Sequence, residues 1–242
     1  MTTPRPLPAT DPRLSVPLYT TREVGRFIDV PTSTIRNWTR GYQYPVRGGS
    51  SSTRPIVAST ETERTGYPSI PFLGLAEALV LKSFRERKLS MVKIRAALMA
   101  LDREMGIANV LANKALYTDG AQVLWDYAKE RDDSEIKQLV EPGSGQKVFV
   151  EVVRRYLQLI TYDSDLWAER IELPAYQPTQ VVVDMRRGFG RPILEESRIR
   201  IEEIVERFAF GNESIQAIAD DLELNLEDVE NVIRAATRPA AA

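Results

Sequence analysis

Two groups of side chains in this sequence have types and spacing suited to chemistry. The first is Thr32, Ser33, Thr34, Arg36, Asn37 and Arg40, within YTTREVGRFIDVPTSTIRNWTR, residues 19–40. Short hydroxyls, an amide and guanidinium groups are what a helix in a major groove uses to bond phosphates and base edges. The second is RRGFGRPI, residues 186–193, where Arg186, Arg187 and Arg191 surround two glycines, with Arg198 and Arg200 just beyond. Glycines beside arginines raise the question of a phosphate cradle. The run lacks the Lys-Ser/Thr of a P-loop, and its glycine spacing stops short of a dinucleotide fingerprint. It reads instead as an extended lead-in to a helix pair, its glycines permitting a tight turn and close packing.

Other chemistry has little to work with. The 242 residues contain no histidine and no cysteine, which removes the commonest general base, the commonest metal ligand and every thiolate. Asp132-Asp133 and the pair Asp163 and Asp165 stand beside turns and read as solvated charges, without the support a metal nuclease needs. We therefore expect no enzyme, catalytic residue, metal site or cofactor. The apolar runs fall short of the roughly 20 residues of a membrane span, and the start reads as no signal peptide. A cytoplasmic protein without a membrane partner is expected.

The elements that must hold the first group are legible from periodicity. Thr20 or Thr21 can cap a helix with Glu23 at its third position, a capping-box pattern. Val24 and Ile28 recur on one face, Asp29 falls at a turn, and Pro31-Thr32 opens a second helix that buries Ile35 and Trp38. YPVRGGSSSTRPIVAS, residues 44–59, reads as two extended pieces around a Gly/Ser turn, flanked by Arg47 and Arg54. That is a β-wing whose arginines suit a DNA backbone. Residues 71–101 then read as two amphipathic helices with Ser90 as the cap between them.

Charge divides the chain despite its net −2. Residues 1–105 carry 16 Lys/Arg against 9 Asp/Glu; residues 106–180 carry 8 against 12, and residues 181–242 carry 8 against 13. A basic end and an acidic end imply two different partners. A shift of 194 residues overlays the helix pair on SIQAIADDLELNLEDVENVI, residues 214–233. Ile218, Leu222, Leu224, Val229 and Val232 then fall where Val24, Ile28, Val30, Ile35 and Trp38 stand, and Ala219 replaces Gly25. Ser33, Thr34 and Arg36 become Glu227, Asp228 and Glu230, which phosphates would repel. The second helix-turn-helix should therefore bind protein.

The middle is less legible. ALYTDGAQVLWDYAKE reads as a short strand, a turn at Asp119-Gly120 and a further element. EPGSGQKVFVEVVRRYLQLI reads as a turn and a helix through about Leu159, and DLWAERIELPA as a strand that Val181–Val183 could pair with. Tyr117, Trp125, Tyr127, Tyr156 and Trp167 could line a ligand pocket, though aromatics at such spacing are more often core. The expected fold is mainly α with small β elements. A flexible arm (1–17) precedes an N-terminal winged helix-turn-helix (18–105). A small α+β linker or dimerisation segment (106–180), a C-terminal helix-turn-helix domain (181–236) and a tail (237–242) follow.

Two resemblances rest on these residues. Helix-turn-helix, wing and two helices joined by RKLSMVKIRAAL resemble the DNA-binding domain of MerR-type regulators, over about residues 18–103. Residues 181–236 resemble the helix-turn-helix domain of an antitoxin family once known only as a domain of unknown function. They do so through Asp184, Gly190-Arg191-Pro192-Ile193, Arg198-Ile199, Gly211-Asn212-Glu213-Ser214 and Leu226-Glu227-Asp228-Val229, with Glu196-Ser197 where shorter members have Gly-Thr. The resemblance implies a two-headed antitoxin in a VapBC-like arrangement. Its DNA contacts would be Thr32, Ser33, Thr34, Arg36, Asn37, Arg40, Arg47 and Arg54, bound to its own operator. Its partner would be a PIN-like ribonuclease toxin, engaged by one or more of Arg186, Arg187, Arg191, Arg198 and Arg200. A homodimer or a toxin–antitoxin hetero-oligomer is expected. The alternative is a stand-alone MerR-like regulator that senses a small ligand through its middle segment.

Overall fold

The computed structural model describes residues 5–41, 43–46, 49–62, 64, 66–86, 90–118, 129, 156 and 158–238. Near the N-terminus a short helix α1 (Pro12–Ser15) is capped by Asp11, whose side chain accepts the Arg13 N–H. Residues 5–16 are docked on the body and do not form the free arm that their prolines suggest. Leu7 and Leu14 pack against the core. The Arg5 carbonyl accepts the indole N–H of buried Trp167 at 3.0 Å, and Arg13 pairs with Asp11 at 3.0 Å and Asp165 at 2.6 Å. A buried indole needs an acceptor, and the arm supplies it.

Helices α2 (Thr21–Ile28) and α3 (Thr32–Arg40) form the first pair. The capping box is complete: Thr20 Oγ1 accepts the Glu23 N–H at 3.1 Å, while Glu23 accepts the Thr20 N–H at 2.7 Å. Asp29 closes α2 in the left-handed region (φ 52°), and the Val30 N–H returns to the Gly25 carbonyl at 2.8 Å. Val24, Ile28, Ile35 and Trp38 are buried, as their spacing predicts.

An antiparallel hairpin follows, β1 (Gln43–Val46) with β2 (Gly49–Ser52). The Gly/Ser run is thus the second strand and not the turn. The arginine at 47 lies outside the described residues. Helix α4 (Phe72–Glu86) departs from the expected amphipathic pattern, being buried at every position from Phe72 to Leu81. Its apolar residues occupy all sides, so it forms the central rod against which the other elements pack. Gly74 lets it approach the preceding segment, since a β-carbon there would stand 2.4 Å from the Ala58 carbonyl. The rod carries one buried carboxylate. Glu77 accepts the Ala58 N–H at 2.6 Å and an Asn109 amide N–H at 3.0 Å, yet burial pushes its carboxyl up to about 7. Helix α5 (Met91–Met105) starts directly after Ser90.

Residues Ala115–Thr118 form a short helix, α6, where a strand is expected from sequence. The Asn113 side chain explains the change, accepting the Ala115 N–H at 2.9 Å and so opening a helical turn. The expected Asp119-Gly120 turn, the helix before Leu159, the Asp132-Asp133 pair, Trp125 and Tyr127 lie outside the described residues, as does the Tyr117 side chain.

Beyond them, β3 (Ile160–Tyr162), β4 (Ala168–Glu172), β5 (Val181–Asp184) and β6 (Ile193–Leu194) form an antiparallel meander in chain order. This sheet runs across residue 180, joining the middle segment to the C-terminal one. Helices α7 (Ile201–Ala209), α8 (Ile215–Asp221) and α9 (Leu226–Thr237) complete the chain.

The internal repeat holds to the level of single hydrogen bonds. Ser214 caps α8 as Thr20 caps α2, and Glu223 is left-handed (φ 54°) where Asp29 is. The Leu224 N–H returns to the Ala219 carbonyl at 2.9 Å as Val30 does to Gly25. Between α7 and α8 it is Asn212, not Gly211, that takes positive φ. Gly211 is required for proximity instead, because a β-carbon there would lie 2.6 Å from the Arg207 carbonyl.

Candidate functional site

Helix α3 exposes Ser33, Arg36, Asn37 and Arg40, with Thr32 and Thr34 half-buried at its start. Ile35, Trp38 and Thr39 anchor the opposite face, and Thr39 spends its hydroxyl on the Ile35 carbonyl. Among the described residues, the side chains of Ser33, Arg36, Asn37 and Arg40 take part in no hydrogen bond or ion pair. A rigid helix therefore presents four uncommitted polar groups side by side. Arg54, beyond the hairpin, is exposed while its carbonyl accepts a guanidinium N–H from Arg95 on α5. That bond ties the hairpin base to the body.

The second helix pair treats the same face differently. Asp228, in the place of Thr34, accepts the hydroxyl of buried Thr179 at 2.6 Å. Asn231, in the place of Asn37, donates to the same hydroxyl at 3.2 Å. Two positions that would read a groove are thus occupied by the turn before β5, and Glu227 and Glu230 hold exposed negative charge beside them. Thr179 has no local signal that could identify it from sequence.

The five arginines of the second group are not brought to one point. Arg186 pairs with Asp163 at 2.7 Å and with Glu169; the Ser164 N–H and Arg186 together hold the Asp163 carboxyl below its usual range. Asp163, paired with Arg186, and Asp165, paired with Arg13, are thus ion-paired and not merely solvated. Arg191 stands between Glu202 at 3.1 Å and Glu23 at 3.8 Å. Arg187 lies 3.9 Å from Asp184. Arg198 and Arg200 are exposed and unpaired among the described residues.

Arg191 belongs to a seam between the two helix-turn-helix units that sequence reasoning missed. The Tyr19 hydroxyl, one residue before the cap of α2, donates to the Gly190 carbonyl at 2.6 Å. Burial pushes that phenol well above its ordinary range, so it remains a donor. Gly190 has φ 74°, and a β-carbon on it would stand 2.7 Å from Leu18. On the next turn of α2, Arg26 donates to the Ala236 carbonyl near the end of α9 at 3.0 Å. A cleft of about 160 Å³ runs along the seam, lined by Phe27, Tyr176, Ile201 and Val205 with Glu23 and Glu206. Of the aromatic residues that could form a ligand pocket, Tyr156 and Trp167 are buried in the core. No group of three or more Asp or Glu residues suited to a metal ion occurs among the described residues, and no helix there could cross a membrane.

Comparison with known proteins matches the two ends of the chain to two different family models. Residues 17–98 match the family model described as "Putative DNA-binding HTH domain", and residues 181–235 match "Protein of unknown function (DUF433)". The chain is 36% identical over 229 residues to "Putative antitoxin VapB45" of Mycobacterium tuberculosis (strain ATCC 25618 / H37Rv), covering 92% of this chain and 95% of that protein. It is similar to the crystal structure of Rv2018 from Mycobacterium tuberculosis, with a TM-score of 0.72 and 34% identity over 91% of this chain and 99% of that one. With a DNA-binding-type helix-turn-helix in front, a DUF433 domain behind and that identity along nearly its whole length, the chain belongs to the VapB45 antitoxin family.

Proposed function

We propose that this protein captures and neutralises a PIN-like ribonuclease toxin through its C-terminal domain and represses its own operon by binding operator DNA through its N-terminal domain. The contrast between the two recognition helices carries the reading. Helix α3 leaves Ser33, Arg36, Asn37 and Arg40 uncommitted, whereas α9 places acids or self-bonded groups at the corresponding positions. A polyanion is attracted by the first face and repelled by the second.

In this reading, residues 18–105 form the DNA-reading unit and residues 181–236 the toxin-binding unit. Thr32, Ser33, Thr34, Arg36, Asn37 and Arg40 lie along the groove, with Arg47 and Arg54 on the flanking backbone. The cytoplasm is where both partners are found, and a homodimer or a toxin–antitoxin hetero-oligomer is the working assembly. Neutralisation needs a guanidinium that can enter a carboxylate-lined nuclease site and compete there with a divalent cation. Arg187, Arg198 and Arg200 are better placed for this than Arg186 and Arg191, which already face two carboxylates each.

The test is co-expression with the product of the adjacent reading frame. The two should co-purify, this chain should relieve the toxicity of its neighbour, and the complex should shift DNA from upstream of the pair. Absence of a complex with toxicity unrelieved refutes the antitoxin reading, and absence of a shift refutes the repressor reading.

A further inference from the structure

The β5–β6 loop, residues 185–192, is held at both feet. On one side the Asp184 carboxylate accepts the N–H groups of Arg186 at 2.7 Å and Arg187 at 3.2 Å, while Arg186 reaches back to Asp163 and Glu169. On the other side Gly190 is buried against Leu18 and Tyr19, and Arg191 is set between Glu23 and Glu202. Between these feet the chain makes three successive left-handed residues: Gly188 at φ 63°, Phe189 at φ 51° and Gly190 at φ 74°. Phe189 forms the tip and is 81% exposed, and the Arg187 side chain beside it is 51% exposed.

Nothing in the fold explains a phenylalanine there. An L-residue in the left-handed region is strained relative to the right-handed one, a cost that glycine avoids. The ring recovers none of this by burial, since it faces water. Large aromatics held rigidly on a surface lose little entropy when a partner covers them, and they dominate binding energy where they fill a pocket. Charge indicates the kind of partner. Residues 181–242 carry 13 Asp/Glu against 8 Lys/Arg, so a polyphosphate chain is disfavoured at this end of the molecule. A protein surface with an apolar pocket bordered by carboxylates would receive both the ring and the neighbouring guanidinium.

We infer that Phe189 and Arg187 form a rigid docking prong for the toxin partner, Phe189 filling an apolar pocket and Arg187 pairing with a carboxylate at its rim. This rests on the antitoxin reading above and adds to it the residue that anchors the complex. Phe210 is the control, because it is also highly exposed (86%) but follows an ordinary helix end at φ −119°.

The experiment measures binding of the full-length chain to the purified product of the adjacent reading frame by titration calorimetry or biolayer interferometry. Wild type is compared with Phe189→Ala, Phe189→Trp, Arg187→Ala and Phe210→Ala, with melting temperatures alongside. We expect Phe189→Ala to weaken binding at least tenfold while its melting temperature is unchanged. Phe189→Trp should retain binding, Arg187→Ala should weaken it in a salt-dependent way, and Phe210→Ala should leave it unaltered. A wild-type complex that Phe189→Ala does not weaken overturns the prong and leaves the antitoxin reading standing. Equal losses in Phe189→Ala and Phe210→Ala also overturn it, since any exposed ring would then serve. Two further results assign Phe189 to a different occupant and reject this one: loss of DNA binding, or loss of self-association in sedimentation, in Phe189→Ala with toxin binding intact. A wild-type chain that captures nothing refutes both proposals.

Discussion

Arg36 stands at the middle of the exposed face of α3, with the buried Ile35 and Trp38 on either side of it in sequence. Its backbone is therefore fixed while its guanidinium remains free to bond. Arg36→Ala should weaken operator binding by about 1–3 kcal/mol if that side chain reads a base edge. Fluorescence anisotropy at fixed salt measures this, and unchanged affinity would remove Arg36 from the readout. Glu77 is the residue-scale counterpart inside the core. Burial raises its folded value from 4.5 to about 7, so folding takes up a proton between those pH values. Its contribution to stability is fully present below about pH 4.5 and is lost as pH rises through 7. Glu77→Gln should therefore flatten the decline in melting temperature between pH 5 and pH 8. A decline as steep as that of the wild type would show that Glu77 does not titrate in this range.

The two helix pairs offer an internal comparison at the scale of elements. Each closes on the same N–H to carbonyl bond, but a β-carbon on Gly25 would stand 2.7 Å from the Val30 carbonyl, where the second pair accommodates Ala219. Gly25→Ala should cost about 1–3 kcal/mol through overpacking, whereas Ala219→Gly should cost only about 0.5–1 kcal/mol of helix propensity. Denaturant melts of the two variants measure this, and equal losses would contradict the tighter contact of the first pair. These pairs were legible because caps, turn and buried residues all lie within about 20 residues of one another. What sequence missed depended on distant partners. The strand Gly49–Ser52 has poor intrinsic strand preference and exists by pairing with β1. Helix α4 is buried on every side from Phe72 to Leu81, a stretch apolar at nearly every position, so its burial was written in composition and not in an amphipathic period. The Thr179–Asp228 bond, which occupies the face of α9, spans 49 residues.

For the whole molecule, the sheet across residue 180 alters how the two ends can be separated. Removing residues 181–242 would not only delete the C-terminal helix pair but also strip β5 from β4 and uncover Tyr19. Point variants therefore separate the two proposed activities more cleanly than truncation does. One continuous core runs from Tyr19 to Ile233, so unfolding should be a single cooperative transition. Calorimetry showing two resolved transitions would refute that expectation.

The seam has a consequence for how the two ends communicate. Helix α2 packs against α3, and together with Tyr19 just before its cap it also carries the contacts to Gly190, Glu202 and Ala236 through Tyr19, Glu23 with Arg191, and Arg26. It is thus common property of both helix-turn-helix units. Any ligand at the C-terminal end that favours one setting of α2 changes the affinity for DNA by some factor. Thermodynamics then requires DNA to change the affinity for that ligand by the same factor. If the proposed function holds, an operator titration in the presence of toxin and a toxin titration in the presence of operator must return one number, and an Arg26→Ala chain in which that number is unchanged would take the Arg26–Ala236 contact out of the coupling.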